Sequence, residues 1–329
     1  MWKIHGLHMP ADGLAVAVGW IYRFTPGDQG LGQGLRRRRH GLTNSSPGQT
    51  VQCVHRPSGR EARVPLRVHA EFLEDLYRRY NRPEYVHPDP LEFVRRYRER
   101  RDREVVGLIA SSLAYGRVAQ ILRSVQAVLS VLGDRPAQAL RRTSPVAIRR
   151  MYAGFKHRFC TGGHLAALLC GARRALAEYG SLEDCFLAGV SGQDRTVQPA
   201  LNAFVRRLTS GGQDCGHLLP DPSKASACKR LHLLLRWLVR EDAVDLGVWR
   251  GVSPAMLIVP LDAHMHRLMG LLGATARQAA DLKTAMEITD AFRIIAPKDP
   301  VKYDFALTRL GIHPGVRAEG VLRQYQQLE

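Results

Sequence analysis

The chain has 329 residues, of which 45% are hydrophobic and 24% charged, as in ordinary globular domains. Aromatic residues make up only 7%, and runs rich in Val, Ile and Thr are scarce, which disfavours a β-sheet protein. No run of about 18 apolar residues occurs, so we expect no membrane span. His8 and Asp12 interrupt the apolar start, and no small-residue cleavage site follows, so we expect no signal peptide.

The net charge of +18 favours a polyanionic partner, most commonly nucleic acid. Residues 1–65 contribute +6, from nine Lys and Arg residues against three Asp and Glu residues, and the remaining +12 belongs to the segment that reads as folded. A compositional preference for Arg is the alternative explanation. The charge is therefore not confined to a tail, and a nucleic-acid partner is the prediction that follows.

Residues 1–65 are rich in Gly, Pro, Ser and Arg, include the run Arg36-Arg37-Arg38-Arg39, and have no sustained periodicity. This pattern is typical of a disordered or loosely attached segment. The arginine run either contacts nucleic acid or results from an upstream start codon. We expect a domain boundary near residue 65.

From Leu66 onwards the apolar residues keep helical spacing. Helices are predicted from Leu66 to Tyr80, after an Asp89-Pro90 start signal, from Val105 to a stop near Gly116, and from Val118 to Leu132 before Gly133. Further helices are predicted after Ser144-Pro145 and over 165–179, 181–187, 197–208 and 229–239, then at Ser253-Pro254, after Asp262, over 282–295 and from Asp299-Pro300 to 310. The main loops are expected at 189–194 and 211–222.

These elements amount to roughly ten to twelve helices with no credible strand ladder. Residues 66–329 are therefore predicted to form an all-α domain. The six cysteines are scattered, with no C-x-x-C pair, so we expect reduced thiols in a cytoplasmic protein, no metal site, no iron–sulfur cluster and no cofactor.

The segment 218–231 is a turn that opens a helix, with two hydroxyls (Ser223, Ser226) and two ammonium groups (Lys224, Lys229). The start of a helix offers unpaired N–H groups, so this segment suits a phosphate. A lysine that is partly buried at such a place becomes a usable nucleophile, because burial disfavours its charged form. The alternative for either lysine is a solvated surface residue.

Asp262 stands where the cap of the next helix is expected. Capping alone explains an aspartate there, but the same carboxylate is also a fixed anion that stabilises developing positive charge or acts as a base. His264 and His266 are two residues apart and point to different helix faces, so we expect packing or phosphate contact rather than a shared metal.

Tyr115-Gly116-Arg117 lies at a predicted turn between two helices. An aromatic ring next to an arginine suits stacking on a base and gripping a phosphate. An equally supported alternative is that Tyr115 packs at the rim of the core.

From about Leu66 to His313 the chain resembles a bacterial family catalogued only as a domain of unknown function. The segments 80–90 (YNRPEYVHPDP) and 300–307 (PVKYDFAL) are characteristic of that family. This resemblance covers about three-quarters of the chain and implies no activity by itself.

More distantly, the order of segments is similar to the helix-hairpin-helix DNA glycosylases, the superfamily of endonuclease III and 8-oxoguanine glycosylase. In them a loop like 108–117 wedges into DNA, a Leu-Pro-led hairpin carries a lysine, and a segment like Pro260-Leu261-Asp262-Ala263-His264 carries a catalytic aspartate. The resemblance implies Asp262 as the catalytic acid and Lys229, or else Lys224, as a Schiff-base lysine.

It also implies a fold with two helical lobes, duplex DNA with a damaged base as partner, and N-glycosylase activity with abasic-site lyase activity. The expected nucleic-acid contacts are Tyr115, Arg117, Ser223, Ser226, Arg230, His264 and Arg267.

The chain departs from the superfamily pattern at the hairpin, where Asp221-Pro222-Ser223 replaces the usual Gly-x-Gly. The spacing from Lys229 to Asp262 is longer than usual and nearer to the archaeal 8-oxoguanine branch. No cysteine follows Cys228, so an endonuclease III cluster is not expected. A non-catalytic nucleic-acid-binding protein and a helical adaptor with compositional charge remain the alternatives.

Overall fold

A computed structural model of the chain describes residues 70–312. The predictions for residues 1–65 and for residues 66–69, the first part of the first predicted helix, lie outside this described part. Thirteen α-helices follow one another within it. They are α1 (Ala70–Tyr80), α2 (Leu91–Arg95), α3 (Arg100–Ser112), α4 (Val118–Leu132), α5 (Pro136–Arg142), α6 (Pro145–Met151), α7 (Gly162–Glu178), α8 (Leu182–Leu187), α9 (Gln198–Thr209), α10 (Lys229–Val239), α11 (Ala263–Leu271), α12 (Leu282–Ile295) and α13 (Asp304–Ile312).

Three short 3-10 helices also occur within residues 70–312, at Pro83–Tyr85, Gly216–Leu218 and Pro254–Met256. The described strands are β1 (Lys156–His157) and β2 (Cys160–Thr161), which pair antiparallel with Lys156 opposite Thr161 and His157 opposite Cys160. The predicted all-α class is thus confirmed. This small hairpin was not predicted, because strands of two residues carry no detectable alternation.

Helix starts follow local capping chemistry. The side chains of Ser144, Thr161, Ser181, Asp262 and Asp281 accept hydrogen bonds from backbone N–H groups in the first turns of α6, α7, α8, α11 and α12. Each such cap satisfies an N–H that has no partner inside its helix and contributes about 1 kcal/mol. These caps explain why the predicted starts of α6, α11 and α12 agree with the structure.

Two predicted starts were wrong. Asp299-Pro300 does not begin a helix, since α13 starts at Asp304 and the Asp299 carboxylate instead pairs with Arg240 at 2.9 Å. Pro90 is the residue before α2 rather than its first residue, and Asp89 accepts the N–H of Leu91 at 3.0 Å. In both places a turn precedes the helix, and the sequence pattern does not separate it from a helical first turn.

The core is one contiguous apolar cluster. Helix α3 packs against α2, α4, α5, α8 and α10, helix α7 packs against α5, α6, α8 and α9, and α13 packs against α1 and α11. Gly171 makes the crossing of α7 and α9 possible, since a Cβ there would lie 2.2 Å from the carbonyl oxygen of Leu208. This packing fixes α10 against α3 and so positions the residues at the start of α10.

A buried ionic network ties the carboxyl half of α10 to the segments that follow. Arg236 pairs with Asp304 at 2.5 Å and with Asp245 at 3.3 Å, and Arg240 pairs with Asp299 at 2.9 Å and also with Asp245. Burial opposes the charge of Arg236, but its two aspartates outweigh burial and raise its pKa. Both arginines are therefore permanent cations inside the fold.

The cysteines of the described segment are all buried and unbridged: Cys160, Cys170, Cys185, Cys215 and Cys228. Burial raises the pKa of each of these thiols, to about 11 for Cys160, Cys185 and Cys215. None of the helices between residues 70 and 312 has the length and apolar character that crossing a membrane requires.

Candidate active site

A cavity of about 610 Å³ lies where α10, α11, α13 and the α3–α4 connection meet. Its wall takes Tyr115 and Gly116 from the connection, Lys229 and Arg230 from the start of α10, and Asp262 from the start of α11. Two of the three segments singled out in the sequence thus begin a helix at this cavity, and the third connects two helices there. The packing brings these distant segments together.

Lys229 and Asp262 form an ion pair in the cavity wall, with Nζ of Lys229 2.6 Å from Oδ2 of Asp262. Their side chains are 32% and 29% exposed, so both remain accessible from the cavity. A hydrogen bond in which both partners are ionised is among the stronger ones in proteins. The pair therefore holds an amine and a carboxylate at one fixed place.

Asp262 is kept ionised by its surroundings. Burial opposes ionisation, but the Lys229 charge, the hydrogen bond from Lys229 and the 2.8 Å hydrogen bond from the N–H of Met265 outweigh burial and lower the pKa of Asp262. The carboxylate also sits at the positive end of the α11 dipole, which favours negative charge. Asp262 thus caps α11 and is also a carboxylate held in its ionised form.

Tyr115 and Arg230 form another part of the wall. The Tyr115 hydroxyl donates to the carbonyl of His157 at 3.1 Å, and the Arg230 guanidinium lies 4.8 Å from the ring centroid. Arg230 also donates to the carbonyl of Ser112 at 2.7 Å. Both side chains are thereby held in place, and Tyr115 is half-buried rather than free at a loop tip.

The deeper wall was not predicted from the sequence. It includes Arg236, Trp237, Asp304 and Arg309, each at most 2% exposed. Four of their atoms are buried without a hydrogen-bond partner: Nη2 of Arg236, Nε1 of Trp237, Oδ1 of Asp304 and Nε of Arg309. Buried polar atoms are normally paired, so this wall has hydrogen-bonding capacity that the protein leaves unused. Asp304 lies within the family-like segment 300–307, the only sequence signal that pointed towards it.

Several predicted site residues lie elsewhere. Lys224 is 78% exposed, pairs with Asp221 at 4.0 Å and does not line the cavity. Ser223 donates to Asp221 at 2.6 Å, outside the wall, whereas the exposed Ser226 is part of it.

The remaining predicted nucleic-acid contacts surround the site without lining it. Arg117 and Arg267 are exposed. His264 is half-buried, its Nε2 has no partner, and burial lowers its pKa. His266 is turned to a different partner, because its Nε2 lies 2.8 Å from the carbonyl oxygen of Arg277. Between residues 70 and 312 no three His, Cys, Asp or Glu side chains are grouped so as to hold a metal ion.

A family model described as a protein of unknown function, DUF2400, matches residues 89–313. The chain belongs to this family. The search of curated proteins and the search of solved structures found no match. In this DUF2400 protein the matched region contains the whole cavity wall except Pro88. The family description assigns no activity, so function has to be inferred from the chemistry of the cavity.

Proposed function

We propose that this protein is a DNA N-glycosylase that removes a base turned out of the duplex, and that it also cleaves the resulting abasic site through a Schiff base at Lys229. The observation that carries the proposal is the 2.6 Å pair of Lys229 and Asp262 in the wall of a 610 Å³ cavity. An enzyme acting on a base inside a duplex has to extrude the nucleotide into such a pocket.

The pair supplies the groups that base removal requires. As the N-glycosidic bond breaks, its electron pair leaves with the base, and the Asp262 carboxylate stabilises the positive charge that develops on the sugar. The Lys229 ammonium transfers one proton to the departing base and becomes a neutral amine. The amine lone pair then forms a bond to C1′ of the sugar.

Strand cleavage follows from that bond. A second proton moves from nitrogen to O4′ as the C1′–O4′ bond breaks, which opens the sugar ring and leaves a protonated Schiff base between Lys229 and C1′. The Schiff base acidifies the C2′ hydrogen, and its removal expels the 3′ phosphate. Hydrolysis of the Schiff base by water restores the amine.

The charge of the chain supports a DNA partner. The net charge is +18, and the exposed cations near the cavity segments include Arg117, Lys224 and Arg267. Such side chains neutralise phosphates and release counterions, which makes binding depend steeply on salt. Six phosphate contacts would lower affinity about a thousandfold between about 50 and 200 mM salt.

The test is borohydride trapping with the full-length chain on duplexes that contain an abasic site, 8-oxoguanine or uracil. Borohydride reduces a Schiff base to a stable amine, so a covalent protein–DNA adduct is expected. Lys229→Gln should abolish the adduct. Lys224→Gln is the matched control, because it removes an ammonium five residues away that is exposed and outside the cavity wall.

An adduct that survives Lys229→Gln would reject Lys229 as the nucleophile. No adduct and no base release on any substrate, with salt-dependent DNA binding intact, would reject the enzyme and favour a non-catalytic nucleic-acid-binding protein. Binding with a shallow salt dependence would instead favour an adaptor whose charge is compositional.

A further inference from the structure

The tip of the β1–β2 hairpin exposes an aromatic ring. Phe159 is 65% exposed, and every other aromatic side chain of the described segment is buried or half-buried. A single exposed apolar residue needs no explanation in general. Phe159 differs from such a residue in how firmly its hairpin is held and in what surrounds it.

Buried residues of both strands hold the hairpin against the rest of the domain. His157 is fully buried, its Nδ1 lies 2.8 Å from the Ser124 hydroxyl oxygen, and its Nε2 lies 3.1 Å from the carbonyl oxygen of Tyr115. Cys160 on the opposite strand is also fully buried. Arg158 at the turn has a φ of 52°, the left-handed conformation that a two-residue turn requires. Phe159 is therefore presented on a rigid base, and little conformational entropy is lost when its ring is covered.

The hairpin borders the loop that lines the cavity. The Tyr115 hydroxyl donates to the His157 carbonyl, and the two rings are edge to face with centroids 4.6 Å apart. Arg158 lies against Gly116, because a Cβ at Gly116 would be 2.8 Å from its Cδ. The turn that carries Phe159 thus contacts the rim of the cavity directly.

An arginine and a histidine lie next to the Phe159 ring. The Arg158 guanidinium is 5.4 Å from the Phe159 centroid, and the His217 ring is 5.6 Å from it. Lys156 in β1 and Arg117, the residue after Gly116, are also exposed. An exposed aromatic ring beside a guanidinium suits a partner that has both flat π-faces and phosphates, which is the chemistry of nucleic acid.

We propose that Phe159 is a base-stacking residue, which enters the duplex at the step from which a nucleotide has moved into the cavity. This proposal rests on the proposed function. It assigns a DNA contact to a hairpin that none of the sequence patterns singled out. Apolar side chains inserted between base steps unstack them and keep the duplex kinked, so Phe159 would fill the space that the extruded nucleotide leaves.

The experiment compares full-length variants by fluorescence anisotropy with a labelled duplex that carries one tetrahydrofuran analogue of an abasic site, which cannot form a Schiff base and so is not cleaved. Phe159→Ala should weaken binding about tenfold to a hundredfold, the effect of losing one aromatic–base stack. The slope of log affinity against log salt should not change, because no phosphate contact is lost. Phe159→Trp should bind like the unaltered chain, and its added indole emission should be quenched when DNA binds.

Ile294→Ala is the matched control, because Ile294 is 68% exposed but lies in α12 outside the cavity wall. It should leave the affinity unchanged, and the melting temperatures of all three variants should equal that of the unaltered chain.

If Phe159→Ala binds as tightly as the unaltered chain, the stacking role is wrong. The proposed function then still stands, provided that the Lys229-dependent adduct forms. A weaker affinity accompanied by a smaller salt slope would overturn the stacking role as well, since it indicates lost phosphate contacts. If the unaltered chain neither binds the duplex nor forms an adduct, both proposals fail.

Discussion

Asp262 accepts two hydrogen bonds of different origin, one from the Lys229 ammonium at 2.6 Å and one from the backbone N–H of Met265 at 2.8 Å. Oδ2 receives the first and Oδ1 the second, so a single carboxylate joins the cavity pair to the start of α11. The two roles can be separated by substitution, because an amide retains an oxygen that caps a helix but loses the charge.

Asp262→Asn should therefore retain the α11 cap. Its free energy of unfolding should stay within about 1 kcal/mol of that of the unaltered chain, since the lost ion pair is partly exposed. Asp262→Ala should lose about 1 kcal/mol more, the usual contribution of an aspartate cap. Both should slow adduct formation on a duplex that still carries its damaged base at least about a hundredfold, because the carboxylate stabilises the charge that develops as the base leaves. Urea unfolding and single-turnover trapping measure the two effects. An Asn variant that traps at the original rate would exclude the carboxylate from the chemistry.

Replacing two helical glycines by alanine should change the stability of the protein in opposite directions. Gly171→Ala places a Cβ 2.2 Å from the Leu208 carbonyl oxygen and should cost about 1–3 kcal/mol or more, because α7 and α9 have to move apart. Gly270→Ala in α11 meets no atom within 4 Å and should stabilise by about 0.5–1 kcal/mol. Thermal unfolding of the two variants measures both signs. Equal effects would show that the close α7–α9 crossing does not exist.

His232 should make the fold sensitive to acid. It is fully buried in α10, neither ring nitrogen has a partner, and burial lowers its pKa to about 4. An unfolded histidine binds its proton near pH 6.5, so the unfolded state takes up a proton before the folded state does. This residue's contribution to stability is therefore retained above about pH 6.5 and lost as the pH falls towards 4.

His232→Leu should remove that dependence and stabilise the protein by about 2 kcal/mol at pH 5 relative to the difference between the two chains at pH 8. Urea unfolding of both chains at the two pH values measures it, with the pH 8 comparison controlling for changed packing. If the two stability curves stay parallel between pH 4 and 7, His232 is not the responsible group.

Breaking an ion pair should destabilise the protein far more in the buried network than on the surface. Arg236→Met leaves Asp304 buried without its paired cation and leaves Asp245 with Arg240 alone, so it should cost about 3–5 kcal/mol. The control is Arg250→Met, which breaks a pair with Glu241 in which both side chains are more than half exposed, and it should cost at most about 1 kcal/mol. Chemical denaturation gives both values. A loss at Arg236 no larger than at Arg250 would contradict the ionic network.

Helix periodicity and capping predicted much of the local structure. The bounds of α10 and α12 agree with the predicted spans 229–239 and 282–295, because apolar spacing and flanking residues are unambiguous there. The seven-residue α5 was missed, since so short a helix has too little periodicity to be recognised.

The site was only half visible in the sequence. Lys229, Arg230 and Asp262 stand at helix starts, where local chemistry draws attention to them. Asp304 and Trp237 contribute to the wall only because α13 packs against α11 and Arg236 of α10 pairs with Asp304, and both are long-range consequences of folding. Phe159 gave no signal, because its exposure depends on a hairpin whose strands have two residues each.

The five buried thiols of the described segment can report local unfolding of the protein. A thiol with a raised pKa and no access to solvent reacts with an alkylating reagent only while the chain around it is transiently unfolded. Cys160 lies in the hairpin that carries Phe159, Cys185 lies in α8, and Cys228 directly precedes Lys229, so each thiol reports on a different part of the fold. The alkylation rate of each thiol, followed by mass spectrometry, would therefore map the opening free energy from the core to the edge of the cavity without any added label.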